Sequence, residues 1–123
     1  MSGPATDDDR RLFLTVEECF ALLAGAADGL VNFTRHALPA AIPVSCSVEG
    51  SELVLRSEAP VRLGRLLDAA CVAVEADRVE GATGTTWRVV VIGTTVADRR
   101  GRPGVRVHPV EVTGHRLPSS QVA

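Results

Sequence analysis

Aromatic residues are scarce in this chain of 123 residues, which has one tryptophan, three phenylalanines and no tyrosine. Nearly half of the residues are apolar all the same (46%), so valine, leucine and alanine must fill any core. A chain of this length forms one domain that buries about two-thirds of the surface exposed when it is unfolded. Stacking against a flat ligand must therefore fall to Trp87, to Phe33 or to the backbone.

Long hydrophobic runs are missing too. No apolar stretch approaches the roughly eighteen residues of a membrane-spanning helix, and the N-terminus lacks a basic start followed by an apolar centre. These absences predict a soluble protein of the cytoplasm. The formal net charge of −2 argues against a general nucleic-acid binder, which needs a basic face to neutralise phosphates. We interpret the one basic cluster, residues 99–102 together with Arg106, as a solvated hairpin tip.

Cysteine is limited to three residues, Cys19, Cys46 and Cys71. Their odd number, the absence of metal-ligand spacing and their apolar neighbours predict reduced thiols in the core. The three histidines are scattered along the chain, which disfavours a metal site.

Residues 1–11 are small, polar and acidic, and are predicted to be a disordered leader; residues 118–123 are predicted to be a disordered tail. Residues 12–117 then form a single domain. Its first helix begins after Thr15, because Thr15 and Glu18 have the spacing of a capping box. An apolar face follows, and Gly25 with residues 28–29 is predicted to end the helix.

Alternating apolar residues beyond this helix predict six strands. A short strand spans residues 30–33 and a turn spans 36–39; a second strand covers 41–48 and is joined by a tight hairpin to a third at 52–56. A short helix over 60–69 precedes strands at 71–77, 86–97 and 105–113, of which the strand at 86–97 is expected to be the longest. Hairpin-linked strands with two helices indicate a mainly β protein whose antiparallel sheet closes on itself.

An anion site is predicted where the third strand meets the second helix. Arg56 and Ser57 end the strand, the helix opens near Pro60, and Arg62 lies in its first turns. Amides at the start of a helix lack intrahelical partners, and arginine can hold a phosphate through two parallel hydrogen bonds. These groups together suit one phosphate.

Several segments occur in an order and spacing that resemble a known family. They are residues 14–24, Pro43 with Val44, Arg56 with Ser57, Arg62 with Leu63, and residues 72–77, 86–93 and 112–117. On these segments, between about residues 12 and 117, the chain resembles the pyridoxamine 5′-phosphate oxidase-like family of FMN-binding split barrels.

The resemblance implies a homodimer of six-stranded antiparallel Greek-key split β-barrels with one flavin at each end of the interface. It implies that the flavin ring lies against Pro43, Val44 and Ser45. It also implies that the phosphate is held by the residues of the predicted anion site, Arg56, Ser57 and Arg62. Trp87 either contacts the flavin or substrate, or plugs the barrel.

The function implied is a flavin-dependent oxidoreductase in which FMN, or alternatively a deazaflavin, passes a hydride to or from a small organic substrate. No catalytic acid or base is demanded by that chemistry. Ser45, Arg62 and His115 depart from the family pattern, and the stretch between residues 97 and 105 is short. These departures favour an alternative, a barrel without flavin redox activity that binds another small ligand or catalyses a flavin-free step. A dimeric interaction module is the third hypothesis.

Overall fold

The computed structural model describes residues 12–25, 27–96 and 104–118, and these contain two helices and six strands. The elements in chain order are α1 (Val16–Leu23), β1 (Ala27–Arg35), β2 (Leu38–Glu49), β3 (Glu52–Arg56), α2 (Pro60–Leu66), β4 (Cys71–Val79), β5 (Thr86–Val96) and β6 (Val105–Arg116). The predicted leader, the tail beyond Pro118 and the arginine-rich tip at 99–102 lie outside the described residues.

The six strands form one closed antiparallel barrel in the order β1-β2-β3-β6-β5-β4, and β4 pairs back with β1. The predicted mainly β fold with two short helices is therefore confirmed. Consecutive strands are neighbours in the sheet except β3 and β4, which β6 and β5 separate. Neither helix is long and apolar enough to cross a membrane, as far as the described residues extend.

Helix α1 begins with the predicted capping box. The Thr15 hydroxyl accepts a hydrogen bond from the Glu18 amide at 3.2 Å, and the Glu18 carboxylate accepts one from the Thr15 amide at 3.0 Å. The predicted end of the helix is wrong, because α1 stops at Leu23 and β1 has begun by Ala27. Asp28 and the following glycine are strand residues, since pairing with β2 and β4 extends β1 toward the helix.

Several strand boundaries also differ from the prediction. The turn before β2 is reduced to His36 and Ala37, both with positive φ (51° and 63°), so β2 begins at Leu38. Such a two-residue turn matches the twist of the strands it joins. Both β2 and β6 have twelve residues and β5 has eleven, so the prediction that β5 is the longest strand is wrong.

Aliphatic side chains fill the barrel, mostly valine and leucine from alternate positions of each strand. Cys19 and Cys46 are fully buried, as predicted. Cys71 is exposed, and its prediction as a core residue is wrong. It begins β4, where Val72 and Val74 point inward and the alternation turns Cys71 outward.

The β2–β3 hairpin is tied to β6 by ion pairs. The Arg106 guanidinium lies 2.7 Å from a Glu49 carboxylate oxygen and 3.2 Å from one of Glu52. The interpretation of Arg106 as part of a solvated tip is therefore wrong, because it lies in a strand between two carboxylates.

Candidate functional site

A cavity of about 780 Å³ opens where β1, β2, the end of β3 and the start of α2 meet. This volume lies within the range of small-molecule sites. The cavity is lined by Asp28, Gly29, residues 41–45, residues 56–59, Arg62 and Leu63. It therefore includes Pro43, Val44, Ser45, Arg56, Ser57 and Arg62, which are six of the seven residues predicted from the sequence.

Strand β2 forms one wall of the cavity. Val44 and Cys46 are buried, whereas Pro43 and Ser45 are exposed on the opposite face of the strand. Ser45 pairs with Asp28 of β1 on one side and with Arg56 of β3 on the other. One row across three strands thus carries a carboxylate, a hydroxyl and a guanidinium.

Arg56 is the last residue of β3, and its side chain is held by the neighbouring strand. Its Nη1 atom donates a hydrogen bond to Ser47 Oγ at 3.2 Å. Within the described part of the chain, neither Arg56 nor Arg62 forms an ion pair with a carboxylate. Two cationic groups at this end of the cavity are therefore available to an anion.

Ser57 shapes the turn into α2. Its hydroxyl oxygen accepts a hydrogen bond from the Ala59 amide at 3.1 Å, and Pro60 is the first residue of the helix. The Ser57 hydroxyl keeps its own hydrogen to donate. Leu63 is buried and carries the helix onto the barrel, which places Arg62 at the cavity.

Two acidic residues of the cavity were not predicted as site residues. Asp28 lies at the β1 side, and Glu58 lies between the strand and helix that carry the arginines. Asp28 was assigned to the end of a helix, so its position opposite Ser45 was missed. The local sequence gives no signal for that position, because a glycine that follows a helical segment is typical of a helix end.

Trp87 does not line the cavity. Its side chain is buried, with 4% exposed, and Nε1 donates a hydrogen bond to a Glu80 carboxylate oxygen at 2.8 Å. The structure thus buries it at the start of β5, apart from the other six predicted residues. Its role as a flavin contact stays a prediction.

Asp77 of β4 forms an ion pair with Arg88 outside the cavity. Its carboxylate accepts two hydrogen bonds from the Arg88 guanidinium, at 2.9 and 3.1 Å. These bonds raise the pKa of Arg88 above its ordinary value. The described residues include no group of three or more histidine, cysteine or acidic side chains that could hold a metal ion.

Several proteins of known structure share this fold, and their names refer to FAD binding or to pyridoxamine 5′-phosphate oxidase. The chain is similar to an FAD binding protein from Mycobacterium smegmatis, with 28% identity and a TM-score of 0.69 over 86% of this chain and 97% of that one. An FAD-binding protein from Mesorhizobium loti, at 16% identity and a TM-score of 0.64, shows the same fold over 86% of this chain and 97% of its own.

A provisionally named pyridoxamine 5′-phosphate oxidase from Corynebacterium glutamicum shares the fold as well, with 24% identity and a TM-score of 0.66 over 85% of this chain and 91% of that one. No curated protein matches the chain. The sequence pattern of the pyridoxamine 5′-phosphate oxidase family matches residues 15–116, which is most of the domain. The chain therefore belongs to the pyridoxamine 5′-phosphate oxidase family, as its resemblance predicted.

Proposed function

We propose that this chain binds FMN in the cavity between β2, β3 and α2 and acts as a flavin-dependent oxidoreductase on a small organic substrate. One observation carries the proposal. Arg56, Ser57 and Arg62, predicted as a phosphate site from the sequence, line one cavity together with the β2 residues predicted to face a flavin ring.

The arginine end of the cavity suits a phosphate. Arg56 and Arg62 offer charged donors without competing carboxylate partners among the described residues, and Ser57 adds a hydroxyl. A hydrogen bond to a charged group contributes about 1.5–3 kcal/mol, and a micromolar cofactor requires about 8 kcal/mol in all. Two such contacts would supply a large share of the binding free energy.

The β2 end of the cavity suits the ring. Ala41, Ile42 and Pro43 give this wall an apolar surface, and Ser45 adds one polar group. A bound flavin supplies hydride transfer. The residues of this chain hold the phosphate, orient the ring against β2 and limit the access of water.

The identity of the flavin is part of the proposal. Two solved relatives are described as FAD-binding. FAD contains the same flavin and the same first phosphate as FMN, and a deazaflavin keeps a phosphate-bearing side chain on a similar ring. The arginine end could hold a phosphate of any of them, so the three must be compared directly.

We also propose that two copies pair through the outer face of β1, β4 and β5. Leu30 and Ile92 are exposed on this face, at 41% and 43%, and Leu30 pairs with Pro43 of the cavity wall. Covering them would bury apolar surface beside the cavity. Sedimentation should report a dimer that Ile92→Arg dissociates; a monomeric wild type at micromolar concentration would contradict the pairing.

Flavin retention tests the main proposal. The purified chain is incubated separately with FMN, FAD and a deazaflavin and then desalted, and absorbance and fluorescence quenching are recorded. We expect FMN to stay bound with its fluorescence changed. If none of the three binds at concentrations on the order of tens of micromolar, the proposal fails. The alternative of a barrel that binds another ligand would then stand.

A further inference from the structure

Helix α2 has little intrinsic stability. It has only seven residues, begins with Pro60 and Val61, and contains Gly64 in its interior. Isolated helices shorter than about 12–15 residues are marginal in water, and an interior glycine disfavours a helix relative to alanine. The position of α2 must therefore depend on contacts with the barrel.

Thr95 of β5 makes such a contact at the end of α2. Its hydroxyl accepts a hydrogen bond from the Ala70 amide at 2.8 Å and donates one to the Leu67 carbonyl oxygen. The Thr95 amide also donates to the Ala70 carbonyl oxygen at 2.8 Å. Thr95 is buried, with 8% exposed, so these bonds are shielded from water.

The same short helix links this contact to the cavity. Leu67 is its C-terminal cap, Leu63 packs in the core one turn earlier, and Arg62 lines the cavity. At the opposite end, the Ser57 hydroxyl holds the Ala59 amide. The helix that carries Arg62 is thus fastened to the barrel at its C-terminal end by the Thr95 hydroxyl, while the Ser57 hydroxyl shapes the turn before it.

We infer that Thr95 is a positioning residue for the phosphate end of the cavity, and this inference rests on the proposed flavin binding. Removal of its hydroxyl leaves the Ala70 amide and the Leu67 carbonyl without this partner in a buried place, which is costly. The end of α2 can relieve that cost by moving until the Ala70 amide and the Leu67 carbonyl find other hydrogen-bond partners. Such movement carries Arg62 away from the phosphate while the β2 wall stays in place.

The experiment compares FMN with riboflavin, which has the same ring and side chain but no phosphate. Thr95→Val removes the hydroxyl and nearly keeps the shape, whereas Thr95→Ser keeps the hydroxyl. We expect Thr95→Val to weaken FMN affinity about tenfold and to change riboflavin affinity by less than about twofold. Thr95→Ser should bind FMN like the wild type.

Gly64→Ala provides a second arm, because a Cβ at Gly64 meets nothing within 4 Å. Alanine favours the helix, so Gly64→Ala should restore part of the FMN affinity lost in Thr95→Val. Should Thr95→Val alone fold poorly, Gly64→Ala with and without Thr95→Val gives the same comparison. Equal losses for FMN and riboflavin, or no loss of FMN affinity, would overturn the inference. A wild type that binds neither ligand would overturn the proposed function, and the inference with it.

Discussion

Arg56 lies directly opposite Ser45 in the ladder between β3 and β2. This pairing fixes the distance between the proposed phosphate end and the proposed ring wall through backbone hydrogen bonds. A slip of β3 by one residue along β2 would turn the Arg56 side chain to the other face of the sheet from Ser45. The register of a single hairpin therefore decides whether the cavity has an anion-binding end.

Replacement of Arg56 and Arg62 together by alanine should abolish FMN retention while the barrel stays folded. Two charged contacts of about 1.5–3 kcal/mol each correspond to at least about a hundredfold loss of affinity. Fluorescence titration measures the loss, and urea unfolding checks the fold. Arg65→Ala is the matched control, because Arg65 is exposed on the same helix and does not line the cavity. Unchanged FMN affinity in the double variant would place the phosphate elsewhere.

Substitution Trp87→Phe separates the two roles considered for this residue. Because Trp87 is buried and donates a hydrogen bond to Glu80, we expect a loss of about 1–2 kcal/mol in the free energy of unfolding. FMN affinity should change by less than about twofold, because Trp87 lies outside the cavity lining. Urea unfolding and FMN titration give the two values. A large loss of affinity with unchanged stability would instead make Trp87 a flavin contact.

Gly93 should tolerate no side chain. A Cβ built there would lie 2.2 Å from the carbonyl oxygen of His108, beside the register shift between β5 and β6. Because backbone must move to relieve this clash, Gly93→Ala should lower the free energy of unfolding by about 2–3 kcal/mol. At Gly64 a Cβ meets nothing within 4 Å, so Gly64→Ala should leave the free energy of unfolding unchanged or raise it by up to about 1 kcal/mol. Equal urea midpoints for the two variants would contradict the close approach.

Alkaline pH should destabilise the fold through its buried thiols. Burial raises the pKa of Cys19 and Cys46 above the ordinary value of 9.0. The unfolded thiols then lose protons first, so the contribution of these thiols to the free energy of unfolding is constant well below pH 9 and falls as the pH rises through it, by up to about 1.4 kcal/mol per pH unit for each thiol. The chain contains neither lysine nor tyrosine, so few other groups titrate there.

Urea unfolding between pH 8 and 10.5 measures this dependence, with the cysteines kept reduced. The double variant Cys19→Ala with Cys46→Ala should be less stable at every pH but should show a flatter profile. An equally steep fall in the variant would assign the dependence to other groups.

Features that depend on near neighbours in sequence could be predicted. Thr15 and Glu18 are three residues apart, and their capping box formed as expected. Arg56 and Arg62 are joined by one short turn, so their common position at the cavity followed from local spacing. The strand alternation was strong enough to give all six strands of the barrel.

Features that depend on distant partners could not be predicted. Asp28 became a cavity residue because β1 extends along β2 as far as Cys46, a pairing that no local pattern records. Thr95 meets Leu67 and Ala70 only after the barrel has formed. The exposure of Cys71 follows from which face of β4 the barrel encloses.

The place of β6 between β3 and β5 has a consequence for how the molecule is made. β6 is the last of the six described strands, yet it joins two that precede it. During synthesis, β3 and β5 keep unpaired edges until β6 leaves the ribosome, and such edges can pair with other chains. Newly made chains thus depend on prompt arrival of their final strand to avoid aggregation.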